Sequence, residues 1–168
     1  PDLPEELNEA HVTAGAFAPD VSGLDQHDGR VEWITSDIRD PADADRLFTD
    51  AAGAIVIHCA GLIHPRRIKE LYEVNVAGTL NVIRSAASNN SKRVVVLSSN
   101  SPLGASSDPE AVFDEDSPYN PYMNYGRSKM IMELRARELA NELNIELVLI
   151  RAPWFYGPKP PARQATFF

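Results

Sequence analysis

The sequence predicts an α/β domain with a doubly wound parallel sheet, and three observations carry that expectation. Four short, β-branched apolar runs recur at 31–36, 54–58, 93–97 and 145–150. Stretches with helical spacing separate them, which is the alternation of strand and crossover helix in a parallel sheet. The runs are mostly apolar instead of strictly alternating, as strands covered by helices on both faces are.

Taken in order, residues 1–20 contain three prolines and no longer periodic segment, so they are set apart as an atypical N-terminal segment. A weak fifth run, Val21 to Leu24, precedes Asp25. After the run ending at Ser36, Asp40-Pro41 reads as an N-cap followed by proline at the first helical position, opening a helix that ends near Ala52-Gly53. Residues 66–89 read as a long helix with Leu80, Ile83 and Ala87 on one face, stopped by Asn89-Asn90. The Ser-, Asp-, Pro- and Asn-rich stretch 101–121 is expected to be a surface loop, with the acidic part from Asp108 to Asp116 solvated. Residues 121–143 read as the last helix, on the spacing of Met132, Ala136, Leu139 and Leu143. The domain is therefore placed at 21–158, with the proline-rich stretch 159–168 as the start of a further C-terminal region.

Composition narrows the function. The chain has 168 residues, 43% hydrophobic and 24% charged, which fits one globular domain. Sixteen basic against 24 acidic residues leave a charge of −8, and basic residues cluster no further than Arg66-Arg67 and Lys92-Arg93, which speaks against a nucleic-acid partner. No apolar stretch approaches the length needed to span a bilayer, and the single Cys59 cannot close an internal disulfide. A cytoplasmic location without membrane attachment is the expectation. His58 and His64 bracket Cys59, but the spacing fits no common zinc pattern, so no metal is expected and His58 is assigned a structural role in its strand.

In open α/β sheets ligands sit beyond the carboxyl ends of the strands. There the sequence places Asp37-Ile38, Ala60-Gly61, Ser98-Ser99 and Arg151-Ala152-Pro153. Ser98 and Ser99 are neighbours at a strand end, so only one faces a ligand. Trp154 and Tyr156 suit a pocket wall or a sheet edge equally. On a helix, Tyr125 and Lys129 are four apart and share a face. An ammonium about 5 Å from the phenol at an effective dielectric of about 20 contributes about 3 kcal/mol, which predicts a Tyr125 pKa about two pH units below its ordinary value. Such a phenol can shuttle a proton.

With Ser99 at the end of the preceding strand, the chain resembles the extended short-chain dehydrogenase/reductases, over residues 21–158. "GLDQ" looks like the end of that family's second strand and puts the ribose-binding acid at Asp25; "SDIRD" is similar to its adenine-binding turn, at Asp37 and Ile38. "VIHCAG" resembles the segment along the cofactor, at Ala60 and Gly61, and "YEVNVAGTLNVIRSA" the helix bearing a cofactor-contacting Asn75. "VVVLSSNSPLG" implies Ser99 as the active-site hydroxyl, "YGRSK" the catalytic pair Tyr125 and Lys129, and "IRAPWFYGP" a nicotinamide contact at Pro153.

The resemblance implies a Rossmann-type domain and NAD as cofactor in preference to NADP, because the Asp25 carboxylate would repel a 2′-phosphate. It also implies a homodimer through the helices at 66–89 and 122–143. The family's Gly-x-x-Gly-x-x-Gly phosphate loop has only Gly15, in "HVTAGAFA", as a counterpart, so the resemblance implies a Rossmann-type sheet without the family's first strand-helix unit and C-terminal substrate domain. The implied activity is an NAD-dependent oxidoreductase or epimerase on a secondary hydroxyl or ketone, first of a nucleotide sugar, by Ser-Tyr-Lys catalysis. A 3β-hydroxysteroid-type or small-carbonyl dehydrogenase is the alternative. A catalytically silent, cofactor-sensing or interaction protein on the same fold is the alternative of another class.

Overall fold

The computed structural model describes residues 10–14, 31–106, 108, 110 and 112–153. Val21 to Leu24, Asp25, Gly15, Trp154, Tyr156 and the stretch 159–168 lie outside the described residues. The elements are β1 (Ala10–Ala14), β2 (Val31–Thr35), α1 (Pro41–Arg46), β3 (Ile55–His58), α2 (Lys69–Leu71), a π-helical stretch Tyr72–Gly78, α3 (Thr79–Ser88), β4 (Arg93–Leu97), α4 (Asn124–Leu143) and β5 (Glu146–Ile150). Every strand pairing among them is parallel. β1 runs beside β2 with Ala10 opposite Val31, and a second sheet has the order β3-β4-β5 with Ile55 opposite Arg93 and Arg93 opposite Glu146. β1 falls inside the segment set apart as atypical; five residues are too few to show a period.

Local chemistry explains most of the boundaries. The Asp40 carboxylate accepts from the Ala42 N–H at 2.9 Å and Pro41 opens the helix, as the N-cap pair predicts. α1 nevertheless stops at Arg46, well before Ala52. Leu47 N–H turns to the Ala44 carbonyl, and Asp50 takes a left-handed conformation with φ 64°, so the chain leaves the helix in tight turns. At the other end of the fold, Asn144 with φ 53° terminates α4, and Ile145 N–H returns to the Ala140 carbonyl at 3.0 Å.

The long helix expected over 66–89 differs in two ways. It begins at Lys69, after the Arg66 and Arg67 N–H groups have donated to the Glu70 carboxylate at 3.0 and 3.4 Å. It also widens over Tyr72–Gly78. Each widened turn holds an extra residue and rotates everything downstream. The inward face is accordingly Asn75, Thr79, Val82, Ile83 and Ala86, in place of Leu80, Ile83 and Ala87. The last helix begins at Asn124, not Pro121, because Met123 is extended (φ −126°, ψ 163°).

α3 and α4 pack against one face of the three-stranded sheet. Val94 and Val96 of β4 are fully buried there beside Met132 and Ala136 of α4 and Ile83 of α3. On the opposite face Ile57 is 71% exposed and Ile55 is exposed as well, so among the described residues the cover is uneven. Polar contacts hold the strand ends. Asn81 donates to the Ile38 carbonyl at 3.0 Å, and Ser36 donates to the Asp43 carbonyl at 2.7 Å, fixing the turn after β2.

Gly126, in the first turn of α4, sets how closely that helix approaches the exit of β4. A Cβ there would lie 2.6 Å from the Ser101 carbonyl oxygen. In an ordinary helix Gly→Ala stabilises by about 1 kcal/mol. Here Gly126→Ala should destabilise instead, by about 1–3 kcal/mol, because the obstacle is backbone. Urea denaturation checks this, and an unchanged or raised midpoint would contradict the packing described.

Candidate active site

The carboxyl end of β4 and the first turns of α4 carry Ser99, Tyr125 and Lys129. Lys129 is buried and its Nζ donates to the Leu97 carbonyl at 2.8 Å. Ser98 and Ser99 part company as neighbours in an extended chain must. Ser98 turns inward and donates to the Glu133 carboxylate at 2.5 Å. Ser99 turns the other way, is half-buried, donates to Ser101 Oγ at 3.0 Å and accepts from the Ser101 N–H at 3.1 Å. Its hydroxyl also lies against the phenol of Tyr125.

The electrostatics correct one expectation. Tyr125 does not have a lowered pKa; burial raises it, and the Ser99 hydroxyl is what opposes the rise. The reason is that the Lys129 ammonium is turned to the Leu97 carbonyl, so the assumed close phenol–ammonium pair is not the arrangement found. Lys129 itself is pushed down to about 8 by burial, with the charges of Glu133 and Cys59 resisting.

Asn75 occupies a strategic place, though not with its amide free. Its Nδ2 donates to the Leu62 carbonyl at 2.9 Å and to Ser128 Oγ at 3.1 Å, while its Oδ1 accepts from the Leu62 N–H at 2.7 Å. Ser128 in turn donates to the Tyr125 carbonyl at 2.8 Å. Asn75 thus links the loop after β3 to the turn of α4 that carries Tyr125 and Lys129. That loop presents Ala60 and Gly61 exposed, where small side chains leave the backbone open to a flat ligand.

The other predicted positions are more peripheral. Asp37 follows β2 and is held below the usual carboxylate range by its hydrogen-bonded pair with Arg39. Ile38 is buried against Gly78, and Pro153 is exposed after β5. The donor set fits a nicotinamide dinucleotide at two ends: an ionised carboxylate beyond β2 for an adenosine, and hydroxyl and ammonium groups beyond β4 for a nicotinamide riboside.

Sequence reasoning missed Glu133, Tyr119 and Arg151, a cluster in which the partly buried tyrosine and arginine meet the buried Glu133 carboxylate behind Ser98. One signal was available: Lys129, Glu133 and Arg137 recur at intervals of four along α4. Among the described residues there is no grouping of three His, Cys, Asp or Glu suited to a metal, and no helix is long and apolar enough to cross a membrane.

Known proteins share this arrangement of fold and motifs. The profile of the NAD dependent epimerase/dehydratase family matches residues 4–167, and the chain belongs to that family. An uncharacterized protein, y4nL, of Sinorhizobium fredii is 43% identical over 139 residues, covering 82% of this chain and 39% of that protein. A UDP-glucose 4-epimerase of Vibrio cholerae is 34% identical over 118 residues, covering 67% of this chain and 36% of the epimerase. Among solved structures, the dTDP-glucose 4,6-dehydratase DesIV of Streptomyces venezuelae, with NAD and TYD bound, superposes with a TM-score of 0.79 at 26% identity. That match covers 90% of this chain and 48% of the dehydratase. The chain therefore spans less than half the length of these relatives.

His58 gives the site region a pH signature. Its Nε2 lies 3.0 Å from Thr79 Oγ1, and the Thr79 hydroxyl already donates to the Asn75 carbonyl, so the imidazole is the donor. Burial and the Lys129 charge hold its pKa down to about 4 from 6.5. The unfolded chain takes up this proton below about 6.5 and the folded one only below about 4, so stability falls as pH drops through that window, by about 3 kcal/mol in all. Urea midpoints measured from pH 7 to 4 should fall less steeply in His58→Gln than in the parent protein. Parallel curves would contradict the assignment.

Proposed function

We propose that the protein is an NAD-dependent enzyme that acts on a secondary hydroxyl or ketone of a nucleotide sugar, with Ser99, Tyr125 and Lys129 as its catalytic residues. The observation that carries the reading is the contact of Ser99 with Tyr125 where β4 ends and α4 begins, with the Lys129 ammonium anchored on the Leu97 carbonyl of the same strand end. The relatives named above support the sugar-nucleotide class of substrate.

In this reading Asp37 holds the adenosine end of the cofactor, the open backbone at Ala60 and Gly61 lies along it, and Lys129 and Tyr125 hold the nicotinamide ribose. Bound NAD supplies the hydride acceptor. The protein's own residues handle the proton. Ser99 hydrogen-bonds the reacting oxygen and orients it toward the phenol. Tyr125, protonated near neutrality because burial raises its pKa, gives its proton to a carbonyl oxygen in the reducing direction and recovers it in the oxidising one. Lys129, anchored on the Leu97 carbonyl, keeps its positive charge at the same strand–helix junction and acts through the ribose it holds, not through a close pair with the phenol. A homodimer through the helices of residues 66–89 and 122–143 belongs to the same proposal; Ile68 and Leu134 are exposed apolar positions there.

Two outcomes follow for the full-length protein assayed with UDP- and dTDP-sugars. Tyr125→Phe should lower turnover by about 10²–10⁴-fold while leaving the fold intact, since one hydroxyl is lost and the ring remains. A variant with half the parent rate would sink the assignment. Because Lys129 loses its proton near pH 8, activity should decline as pH rises through about 8. A rate that keeps climbing to pH 10 would show that the ammonium is not required.

A further inference from the structure

Glu133 takes no part in the proton transfer just described, yet it is a carboxylate with 0% exposure in the middle of α4. Removing such a charge from water costs several kcal/mol unless partners compensate it. Its partners come from three separate parts of the fold. Ser98 Oγ, at the exit of β4, donates to Oε1 at 2.5 Å. The Tyr119 hydroxyl, from the loop before α4, donates to Oε2 at 2.7 Å. Arg151, just after β5, donates Nε and Nη2 to Oε2 at 3.1 and 3.0 Å, and its Nη1 reaches the Glu115 carbonyl at 3.2 Å. Arg137, one turn further along α4, donates to the Tyr119 hydroxyl at 2.5 Å.

The register of these contacts is informative. Three consecutive residues at the end of β4 meet three residues spaced four apart on α4. The Leu97 carbonyl receives Lys129, Ser98 reaches Glu133, and Ser99 lies against Tyr125. Since Ser98 and Ser99 point to opposite sides of an extended chain, anchoring the first inward fixes the second outward.

We propose that Glu133 is a positioning residue for the Ser99–Tyr125–Lys129 site, locking the exit of β4 to α4 through Ser98 and tying Tyr119 and Arg151 to the same point. The proposal rests on the catalytic reading given above and adds a residue to it. Glu133 also has an electrostatic effect, since its negative charge favours the ammonium form of Lys129. The other groups facing Lys129 are His58 at the end of β3, uncharged near neutrality, and Cys59 just beyond it. Those facing Glu133 are Tyr119, Arg137 and Arg151.

The test compares Glu133→Gln, Glu133→Asp and Ser98→Ala in the full-length protein, with melting temperature, kcat, KM and the pH profile measured for each. Glu133→Gln should lower kcat by about 10–100-fold with KM within a few-fold of the parent, as misplacement of a catalytic group does. It should also move the alkaline limb of activity about one pH unit toward acid, because the charge that favours the ammonium is gone. Glu133→Asp keeps the charge and should restore the limb. Ser98→Ala should lower kcat and leave the limb in place.

A drop in melting temperature with kcat and limb unchanged would make Glu133 purely structural and overturn the proposal. If Glu133→Gln does not fold, Ser98→Ala decides: parent kcat overturns the proposal, and a loss of about tenfold or more at unchanged melting temperature supports it. Should the parent protein turn over no nucleotide sugar, the functional reading fails by itself. Competitive labelling of Lys129 with acetic anhydride across pH, read by mass spectrometry, then tests Glu133 without substrate. An acid shift of the Lys129 titration in Glu133→Gln that is absent in Glu133→Asp supports the proposal; superimposable titrations of Glu133→Gln and the parent overturn it.

Discussion

The structure depends on how the end of β4 is joined to α4. A parallel strand normally hands its carboxyl end to solvent or ligand, and its last carbonyl and side chains have no partner of their own. Here a buried ammonium takes the Leu97 carbonyl and a buried carboxylate takes the Ser98 hydroxyl. Neither charge would be tolerated there alone. Arg151 pairs with Glu133, and burial pushes Lys129 down only to about 8, so the ammonium persists near neutrality. The consequence is a strand end and a helix with one fixed register, and Ser99 and Tyr125 meet as a result of it.

The rest of the fold supports that junction from two sides. Asn75, set in the π-helical stretch, uses its amide to hold Leu62 on one side and Ser128 on the other, so the loop after β3 and the turn of α4 that carries Tyr125 and Lys129 share an anchor. Widened helical turns are frequent at functional positions, and this one changes the phase between Asn75 and the apolar residues of α3. Gly126 lets α4 come within contact of Ser101. Loop 101–121 is closed at its base, where Asn120 N–H donates to the Pro102 carbonyl at 2.9 Å, and this delivers Tyr119 to Glu133.

Much of this was legible in the sequence, for reasons that can be stated. β-Branched runs 93–97 and 145–150 announce strands because nothing else buries so continuous an apolar surface, and Asp40-Pro41 announces α1 because cap chemistry is local. That Ser99 at the strand end and Tyr125 on the following helix would come together was legible through the resemblance to a family. What escaped is non-local or phase-dependent. The π-helical stretch has no mark in the apolar pattern, so the inward face of α3 was assigned with an ideal period. Tyr125's electrostatics were misjudged because an i, i+4 spacing gives proximity but not the direction of a flexible lysine, which found a backbone carbonyl. Glu133 reads as an ordinary solvated charge until the fold brings Ser98, Tyr119 and Arg151 to it from positions up to 35 residues away.

The most direct test of the account is calorimetric titration of NAD into the full-length protein and into its Lys129→Met variant, near pH 7. Methionine keeps the buried stem and removes the ammonium that donates to the Leu97 carbonyl at the end of β4. The account predicts binding by the parent protein and a loss of affinity of about tenfold or more in the variant, equivalent to about 1.4 kcal/mol. Equal affinities in the two proteins would contradict the placement of the cofactor at the junction of β4 and α4.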